Sequence, residues 1–330
     1  MKMILIGSGS GGHIYPCLAF YHYATSMHHQ CIPYLFKEID KKIYQQQQVD
    51  GIEVNSKWSE WKKYQFLKND WKDKKPDCVV TFGGKPSFIA TLVALRLKIP
   101  VYLCEQNVIF GKANKLSLFF AKKVLLSFPI KENKKYIYTG NPVVENFICQ
   151  KVSLFTFKQP TILIVCGSLG SSSVLDKVTE FINQEKQFNF IVILGKNNHS
   201  SAIQEDKNIK IFDYYEPLRD LIASSDLIIS RAGATTLSEI IAAAKPAILI
   251  PSPYVANNHQ YKNALFLSQK NAALLLEEKK LTTAKLKEYV YKIIYSQYEI
   301  YRMKKHLKEL QISNPCKKML SIIEGQENGE

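Results

Sequence analysis

Glycine-rich turns that lead from an apolar run into a helix are the strongest chemical signal in this sequence. In the stretch 226–263, the apolar run Leu227–Ile229 is followed by a turn at Gly233 and by the helical segment Ala234–Ala244. A second apolar run, Ala247–Ile250, comes next. The free N–H groups and positive dipole end of such a helix suit a phosphate. The order strand, turn, helix, strand predicts half of a nucleotide-binding α/β unit.

Two titratable side chains accompany these turns. Glu239 lies one turn inside the helix after Gly233, where a carboxylate could accept hydrogen bonds from sugar hydroxyls. His13 ends a second glycine-rich turn, Gly7–His13, which follows the apolar run Met3–Ile6. An imidazole at a helix start on the carboxyl edge of a sheet could act as a general base. The residues alone favour a structural histidine packed against its loop, and the base remains a hypothesis.

The first glycine-rich turn also supports a rival prediction. Gly7, Gly9 and Gly12 satisfy G-x-G-x-x-G, and Glu38 follows the next apolar run at the position of a ribose-binding acid. This pattern is typical of dinucleotide-binding dehydrogenases.

Length and composition indicate a globular protein with room for two domains. The chain has 330 residues, of which 46% are hydrophobic and 22% charged. The seven cysteines include no C-x-x-C pair, so neither a zinc site nor a disulfide framework is predicted. We expect reduced thiols and no metal site.

Charge and hydropathy indicate an anionic partner rather than a membrane span. Residues 1–143 hold 21 basic and 10 acidic residues of a chain whose net charge is +15. This excess favours lipid head groups or nucleic acid as a partner, although a basic solvated surface would look the same. The apolar runs are too short to span a bilayer, and Gly7 breaks the first of them. We expect a cytoplasmic protein that can lie on a membrane surface.

The stretch 57–75 combines aromatic residues with lysines at helical spacing. An interfacial membrane helix uses such a pattern, and a core-facing helix with a wet outer face is equally consistent with it. Aromatics between basic residues can also stack on single-stranded nucleic acid. The candidate membrane residues are Trp58, Trp61, Tyr64, Phe66, Leu67 and Trp71.

The second half of the chain repeats the plan of the first. Thr161–Val165 leads into the glycine- and serine-rich stretch 166–173, and 226–246 (D-L-I-I-S-R-A-G onward) matches 77–100 (D-C-V-V-T-F-G-G onward). This repeat predicts two similar α/β domains that face each other across a cleft, with binding loops at the carboxyl ends of the strands. It disfavours a dehydrogenase, whose second domain is usually dissimilar. The turn Thr139–Pro142 marks the predicted domain boundary.

Six motifs in order along nearly the whole chain resemble the MurG family of N-acetylglucosamine transferases. They are G-S-G-S-G-G-H at Gly7–His13, E-Q-N at Glu105–Asn107, T-G-N-P-V at Thr139–Val143, G-S-L-G at Gly167–Gly170, S-R-A-G-A-T-T-L-S-E at Ser230–Glu239 and N-H-Q-Y-K-N-A at Asn258–Ala264. The resemblance implies the GT-B fold, with two Rossmann-like domains of parallel sheet. It implies an acceptor- and membrane-binding domain at 1–142, a donor-binding domain at 143–313 and a helix at 314–330 that packs back onto the first domain.

The resemblance also implies site residues. In the second domain, Ala234, Thr235 and Thr236 would hold the donor diphosphate, Glu239 the ribose and the main chain of Asp213 the uracil. The other implied donor-binding residues are Ser168, Arg231, His259, Gln260 and Asn263.

In the first domain, His13 is the first candidate for the base and Glu105 the second. The implied acceptor-binding residues are Gly9, Ser10, Gly11, Gly12, Lys85 and Asn107. The sequence departs from the family pattern at Lys85, Cys104, Val144 and Cys166, where many relatives have an aromatic residue, His, Arg and Gly. Lys85 is proposed to supply the cation that Val144 lacks.

The implied activity is an inverting transfer of N-acetylglucosamine from UDP-GlcNAc to the C4 hydroxyl of lipid I, which forms lipid II for peptidoglycan synthesis. Its expected partners are UDP-GlcNAc, undecaprenyl-linked lipid I and the anionic inner membrane surface, with no nucleic acid. No tightly bound cofactor is expected, and a divalent cation is a candidate stimulator. The alternatives are another GT-B enzyme that uses a UDP-sugar, such as a glycolipid synthase or a UDP-GlcNAc 2-epimerase, and a non-enzymatic basic nucleotide- or nucleic-acid-binding protein.

Overall fold

The chain folds into two units. The structure is a computed structural model that describes residues 1–156, 158–166, 172–195 and 203–326, without the side chains of residues 172 and 173. Unit 1 comprises Met1–Asn146 together with the segment that begins at Ile312, and unit 2 comprises Phe147–Gln311.

Unit 1 alternates strands with helices. Its strands are β1 (Lys2–Ile6), β2 (Gln30–Leu35), β3 (Ile52–Glu53), β4 (Cys78–Thr81), β5 (Val101–Glu105), β6 (Lys123–Leu126) and β7 (Tyr136–Tyr138). Its helices are α1 (Gly11–Ser26), α2 (Glu38–Gln46), α3 (Glu60–Lys74), α4 (Lys85–Leu97), α5 (Lys112–Ser117) and, from the end of the chain, α12 (Pro315–Glu324).

Unit 2 has the same alternation. Its strands are β8 (Thr161–Val165), β9 (Asn189–Ile193), β10 (Ile209–Phe212), β11 (Leu227–Ser230), β12 (Ala247–Leu249) and β13 (Leu274–Leu275). Its helices are α6 (Ser172–Gln184), α7 (Leu218–Ser224), α8 (Ala234–Ala243), α9 (His259–Gln269), α10 (Thr283–Ile294) and α11 (Gln297–Glu309).

Both sheets are parallel and share one strand order. The order is β3-β2-β1-β4-β5-β6-β7 in unit 1 and β10-β9-β8-β11-β12-β13 in unit 2. Both follow the doubly wound order 3-2-1-4-5-6, in which successive strands are added first on one side of the first strand and then on its other side. The predicted repeat of two parallel-sheet α/β domains is therefore confirmed.

The apolar runs become central strands because helices cover both faces of the sheet. In β1, Met3 and Leu5 belong to one buried cluster, which also contains residues of α1. Ile4 and Ile6 belong to another, which contains residues of α3 and α4. Successive side chains of a strand point to opposite faces, so a strand buried on both sides has no polar alternation.

An aspartate in each unit ties the fourth strand of its sheet to the first. Asp77, which precedes β4, accepts a hydrogen bond from the N–H of Lys2 at 2.7 Å. Asp226, which precedes β11, accepts one from the N–H of Thr161 at 2.8 Å. The shared aspartate of the two repeats therefore satisfies the first N–H of β1 and of β8, which no strand residue pairs.

Helix α12 completes one face of unit 1. Its apolar residues Cys316, Met319, Leu320 and Ile323 lie in the same buried cluster as residues of α1, β1 and β5. The Tyr102 hydroxyl donates to the Ile323 carbonyl oxygen at 3.0 Å. The last described helix is thus part of the core that supports the first glycine-rich loop.

The aromatic stripe on α3 faces mainly inward, which corrects part of the membrane prediction. Leu67 and Trp71 are 0% and 1% exposed in the cluster between α3, α4 and the sheet. Trp58, Tyr64 and Phe66 are half-buried against it. The spacing predicted one aromatic face correctly, but that face packs on α4 and the sheet.

Only Trp61 of the stripe is strongly exposed, at 68%. Its ring stacks on that of Tyr64, with centroids 5.5 Å apart. Among the described residues, no helix is both long and apolar enough to cross a membrane.

Candidate active site

The glycine-rich loop of unit 1 is held by a buried carboxylate that the sequence did not reveal. Asp40, on α2, is fully buried. It accepts hydrogen bonds from the Ser8 hydroxyl at 2.6 Å and the Gly9 N–H at 2.9 Å. The N–H groups of Phe36 and Lys37 also donate to it, both at 3.0 Å. Asp40 therefore fixes the loop between β1 and α1 to the start of α2.

The position of Glu38 argues against the alternative prediction of a dinucleotide-binding dehydrogenase. Glu38, the expected ribose acid, forms an exposed ion pair with Lys41 at 3.1 Å. The acid that contacts the loop is Asp40, which is saturated with hydrogen bonds from the protein itself. The dehydrogenase reading thus loses the residue on which it depended.

His13 lies in the first turn of α1 with one ring nitrogen committed to the loop. Its Nδ1 is 3.0 Å from the Ser8 carbonyl oxygen and 3.3 Å from the Ser10 hydroxyl. A carbonyl oxygen can only accept, so Nδ1 carries the proton in the neutral ring, and Nε2 is then the basic nitrogen. The half-buried imidazole therefore has the tautomer that a general base needs.

A second glycine turn, between β4 and α4, lies against this imidazole. Gly83 has φ +99°, and a Cβ atom there would be 3.0 Å from Nε2 of His13. Gly84 has φ +88°, and a Cβ atom there would lie 2.4 Å from the Ser8 carbonyl oxygen. Both positions need glycine, for backbone conformation and for space. The structure thus brings the starts of α1 and α4 together around His13.

Glu105 does not have the surroundings of a base, which corrects its role as the second catalytic candidate. It is 2% exposed. Its two oxygens accept hydrogen bonds from the N–H groups of Asn107 and Gly111, each at 3.0 Å, and from the Asn114 amide at 2.8 Å. The Asn107 amide donates as well, at 3.3 Å. Glu105 fixes the loop after β5, and Asn107 belongs to that loop.

The departures from the family pattern also take structural roles. Lys85, at the start of α4, pairs with Glu60 at 2.9 Å on an exposed surface. Val144 is 6% exposed and Cys104 is 3% exposed. The partner of Lys85 thus argues against the idea that it replaces a missing cation, and Val144 points into the protein. Burial raises the pKa of the Cys104 thiol well above its usual range.

In unit 2, α8 begins directly after the turn at Gly233, as the sequence predicted. Ala234 is buried, Thr235 and Thr236 are half-buried, and no side chain caps the helix. The Ser238 hydroxyl is directed back to the Ala234 carbonyl oxygen at 2.8 Å, away from the helix start. The first N–H groups of α8 have no intrahelical acceptor, so an anion can take that position.

Glu239 lies one turn further along α8, among packed side chains but with part of its surface exposed. Burial raises the pKa of the Glu239 carboxyl to about 8, although the positive charge of Arg219 opposes the shift. Glu216 raises this pKa further. A carboxylate that is costly to ionise gains most from ligand hydroxyls that donate to it.

Arg231, one of the implied donor-binding residues, makes its contacts within the protein. It is 9% exposed, and its guanidinium forms an ion pair with Glu278 at 2.5 Å and donates to the Ile250 carbonyl oxygen at 3.2 Å. These contacts join the ends of β11 and β12 to the segment before α10. Arg231 therefore shapes the edge of the sheet from which α8 starts.

The predicted donor residues in the motif at Asn258–Ala264 mainly form hydrogen bonds that hold loops in place. Asn263 is fully buried, and its amide donates to the Ala232 carbonyl oxygen at 3.2 Å, just before the turn at Gly233. Gln260 accepts from the N–H of Ser252 at 2.9 Å. His259, the first residue of α9, places Nδ1 2.9 Å from the Ala256 carbonyl oxygen. Asn263 thus links α9 to the start of α8.

The two remaining predicted donor residues are Asp213 and Ser168. The carbonyl oxygen of Asp213 accepts from the N–H of Gly195 at 3.0 Å, which joins the ends of β9 and β10. Ser168 lies outside the described residues. Within the described ranges, no group of three or more His, Cys, Asp or Glu side chains could hold a metal ion.

Each unit therefore presents a helix start at the carboxyl edge of a parallel sheet, with a titratable side chain beside it. Unit 1 has His13, and unit 2 has Glu239. Two family models match this plan. The N-terminal domain of glycosyltransferase family 28 matches residues 3–126, and its C-terminal domain matches residues 161–318. These matches define the class, a family 28 glycosyltransferase.

Individual relatives narrow this class. A UDP-N-acetylglucosamine–N-acetylmuramyl-(pentapeptide) pyrophosphoryl-undecaprenol N-acetylglucosamine transferase of Caldicellulosiruptor saccharolyticus is 33% identical, over 94% of each chain. The transferase of the same name from Oenococcus oeni is 34% identical over 87% of each chain. The chain therefore belongs to the MurG family of transferases.

Solved structures agree on the fold. The crystal structure of Acinetobacter baumannii MurG superposes with a TM-score of 0.84, at 22% identity, over 98% of this chain and 99% of that one. A putative UDP-N-acetylglucosamine 2-epimerase from Listeria monocytogenes gives a TM-score of 0.73 at 11% identity, over 100% and 98%. The GT-B architecture, two parallel-sheet α/β domains, is thus shared with enzymes of different activity.

Proposed function

We propose that this protein transfers N-acetylglucosamine from UDP-GlcNAc to the C4 hydroxyl of lipid I, with inversion at the anomeric carbon, and forms lipid II. The observation that carries this proposal is the pair of helix starts without a side-chain cap, α1 beside His13 and α8 beside Glu239, in a chain that a relative of that name matches over 94% of its length.

Unit 2 would bind the donor. The first N–H groups of α8 would donate hydrogen bonds to the diphosphate of UDP, and Glu239 would accept hydrogen bonds from the ribose. Negative charge grows on the diphosphate as UDP leaves, so N–H groups already held in place stabilise the transition state more than the ground state. Asn263 would act as a positioning residue, because it holds the turn from which α8 starts.

Unit 1 would bind the acceptor. Gly9, Ser10, Gly11 and Gly12 form the loop and helix start that would contact the diphosphate of lipid I. His13 Nε2 would accept the proton of the attacking hydroxyl, while the Ser8 carbonyl oxygen keeps the proton on Nδ1. Asp40 would position the His13 imidazole, since it holds both Ser8 and Gly9 in the loop that the imidazole contacts.

Release of UDP is the direct test of the activity. We expect the protein to release UDP from UDP-GlcNAc only when a lipid I analogue is present, in amounts equal to the disaccharide product. The assay includes arms with and without Mg²⁺, because a divalent cation is a candidate stimulator of turnover. UDP release without acceptor, together with a 2-epimerised sugar, would contradict the proposal.

We also propose that an apolar patch of unit 1 contacts an anionic membrane surface, on the cytoplasmic face of the cell membrane. The patch lies at the end of α5, where Leu116 is 59% and Phe119 86% exposed. Lys112 and Lys115 on α5 are also exposed, and the Lys135 ammonium donates to the Phe119 carbonyl oxygen at 3.4 Å. Exposed apolar side chains among lysines suit lipid head groups.

Replacement of this patch should release the protein from vesicles. We expect Leu116→Ser with Phe119→Ser to abolish flotation with vesicles that contain anionic phospholipid, because both side chains would lose burial among acyl chains. Both are exposed, so the fold should persist. Trp61→Ser, on the α3 stripe, is the matched control and should retain binding. The patch is misassigned if the double variant floats like the wild type.

A further inference from the structure

The ammonium of Lys37 lies over the glycine-rich loop of unit 1, and the proposed mechanism does not use it. Gly9 has φ +95°, and a Cβ atom there would lie 3.2 Å from the Nζ of Lys37. The same Cβ position is 3.6 Å from Cε and 3.9 Å from Cδ. The outer half of the Lys37 side chain therefore crosses Gly9, and the absence of a side chain at residue 9 leaves the space for it.

The backbone of Lys37 is anchored to the carboxylate that holds the loop. Lys37 precedes α2, its N–H donates to Asp40 at 3.0 Å, and its carbonyl oxygen accepts from the N–H of Asp40 at 3.0 Å. Asp40 also binds the N–H of Gly9. One buried residue thus fixes both the base of the lysine and the glycine that its ammonium crosses.

The protein supplies little negative charge for this ammonium. In the described part of the chain, no carboxylate lies within 4.0 Å of Lys37 Nζ, whereas Lys41 on α2 pairs with Glu38 and Glu53. Asp40 is occupied by four donors. Gly9 lies two residues before α1, whose start is positive. An ammonium that has no carboxylate within 4.0 Å and lies near a positive helix start suits an anionic ligand.

We infer that Lys37 binds the diphosphate of the acceptor across the Gly9–Gly12 loop. This inference rests on the proposed function, because it assigns the ligand by the substrate of that site. Lys37 is then the acceptor cation that Lys85 was expected to supply, since Lys85 is paired with Glu60. It is a binding residue, with no part in proton transfer.

The test compares Lys37→Ala with Lys42→Ala, an exposed lysine on α2 that serves as a matched control. The acceptor is an analogue with a diphosphate and a short prenyl chain, in which the muramyl carboxyl is capped as a neutral amide in place of the peptide stem, so its only anionic group is the diphosphate. We expect Lys37→Ala to raise the acceptor KM by on the order of tenfold. The donor KM and kcat should stay within about twofold of wild type, and Lys37→Arg should recover most of the loss.

Two outcomes would overturn the inference. One is an acceptor KM for Lys37→Ala that matches that of Lys42→Ala. The other is a loss that appears only with an acceptor that carries the peptide stem, which would place the ammonium on a peptide carboxylate.

A binding measurement separates this inference from the proposed activity. Inorganic pyrophosphate is titrated into the full-length protein in the presence of saturating UDP. We expect Lys37→Ala to weaken pyrophosphate binding and Lys42→Ala to leave it unchanged. Pyrophosphate binding that does not depend on Lys37 would refute the inference, whatever the transferase assay shows.

Discussion

His13→Ala should lower kcat by about 10²–10⁴-fold, the usual contribution of a general base. The donor KM should change little, because His13 lies in unit 1 and the proposed donor residues lie in unit 2. The effect is expected to be large because the geometry leaves Nε2 as the base, with Nδ1–H directed at the Ser8 carbonyl oxygen. Steady-state kinetics with UDP-GlcNAc and a lipid I analogue measure it.

Two variants separate the base from the packing of the histidine. His13→Asn can keep a donor near the Ser8 carbonyl oxygen but has no basic nitrogen, so it should lose as much kcat as His13→Ala. It should also lose the acid limb of the pH–rate profile. His22→Ala changes an exposed histidine of the same helix and should behave as wild type. A kcat for His13→Asn within about twofold of wild type would eliminate His13 as the base.

At pH 9, where the Glu239 carboxyl is mainly ionised, Glu239→Ala should weaken UDP binding by on the order of 10–100-fold, because hydrogen bonds to a charged group contribute about 1.5–3 kcal/mol. Calorimetric titration with UDP measures the loss. In the Lys37→Ala background, which weakens pyrophosphate binding at the loop of unit 1, inorganic pyrophosphate should bind equally well with and without Glu239→Ala, because it has no ribose. If UDP binds Glu239→Ala as tightly as wild type, Glu239 does not contact the ribose.

The pKa of Glu239 adds a pH signature to this prediction. Burial raises this pKa to about 8, so the carboxyl of the free protein is mainly protonated at pH 7 and ionises as the pH rises. The ionised form accepts stronger hydrogen bonds from hydroxyls. UDP affinity of the wild type should therefore increase from pH 7 to pH 9. Glu239→Gln cannot ionise and should show no such increase, and equal slopes for the two proteins would contradict this assignment.

The sheet and the starts of the key helices were predictable because they depend on local pattern. Strand β8 was predicted with its observed bounds, Thr161–Val165, since a strand buried on both faces is a continuous apolar run. The start of α8 at Ala234 follows from the preceding glycine turn. These features need only neighbouring residues, which a single sequence contains.

Features that depend on distant partners were not predictable. No sequence motif marks Asp40, because the N–H groups and the hydroxyl that donate hydrogen bonds to it come from the β1–α1 loop and the end of β2. Glu105, the second candidate for the base, has its four donors within nine residues, but their approach depends on the fold of the loop after β5, which no motif shows. Trp71 fits a membrane helix and a core helix equally well, because the spacing shows which residues share a face but not what covers that face. The packing of α3 on α4 shows that Trp71 belongs to a core-facing helix.

The return of α12 to unit 1 sets the order in which a growing chain can fold. Unit 2 is continuous in sequence, whereas the core of unit 1 lacks α12 until unit 2 has been synthesised. At about 5–20 residues per second, synthesis of residues 147–311 takes roughly 8–33 s. During this time the apolar face of α1 and β1 that α12 will cover is open to chaperones and to aggregation. The unit that leaves the ribosome first is therefore the last to be finished.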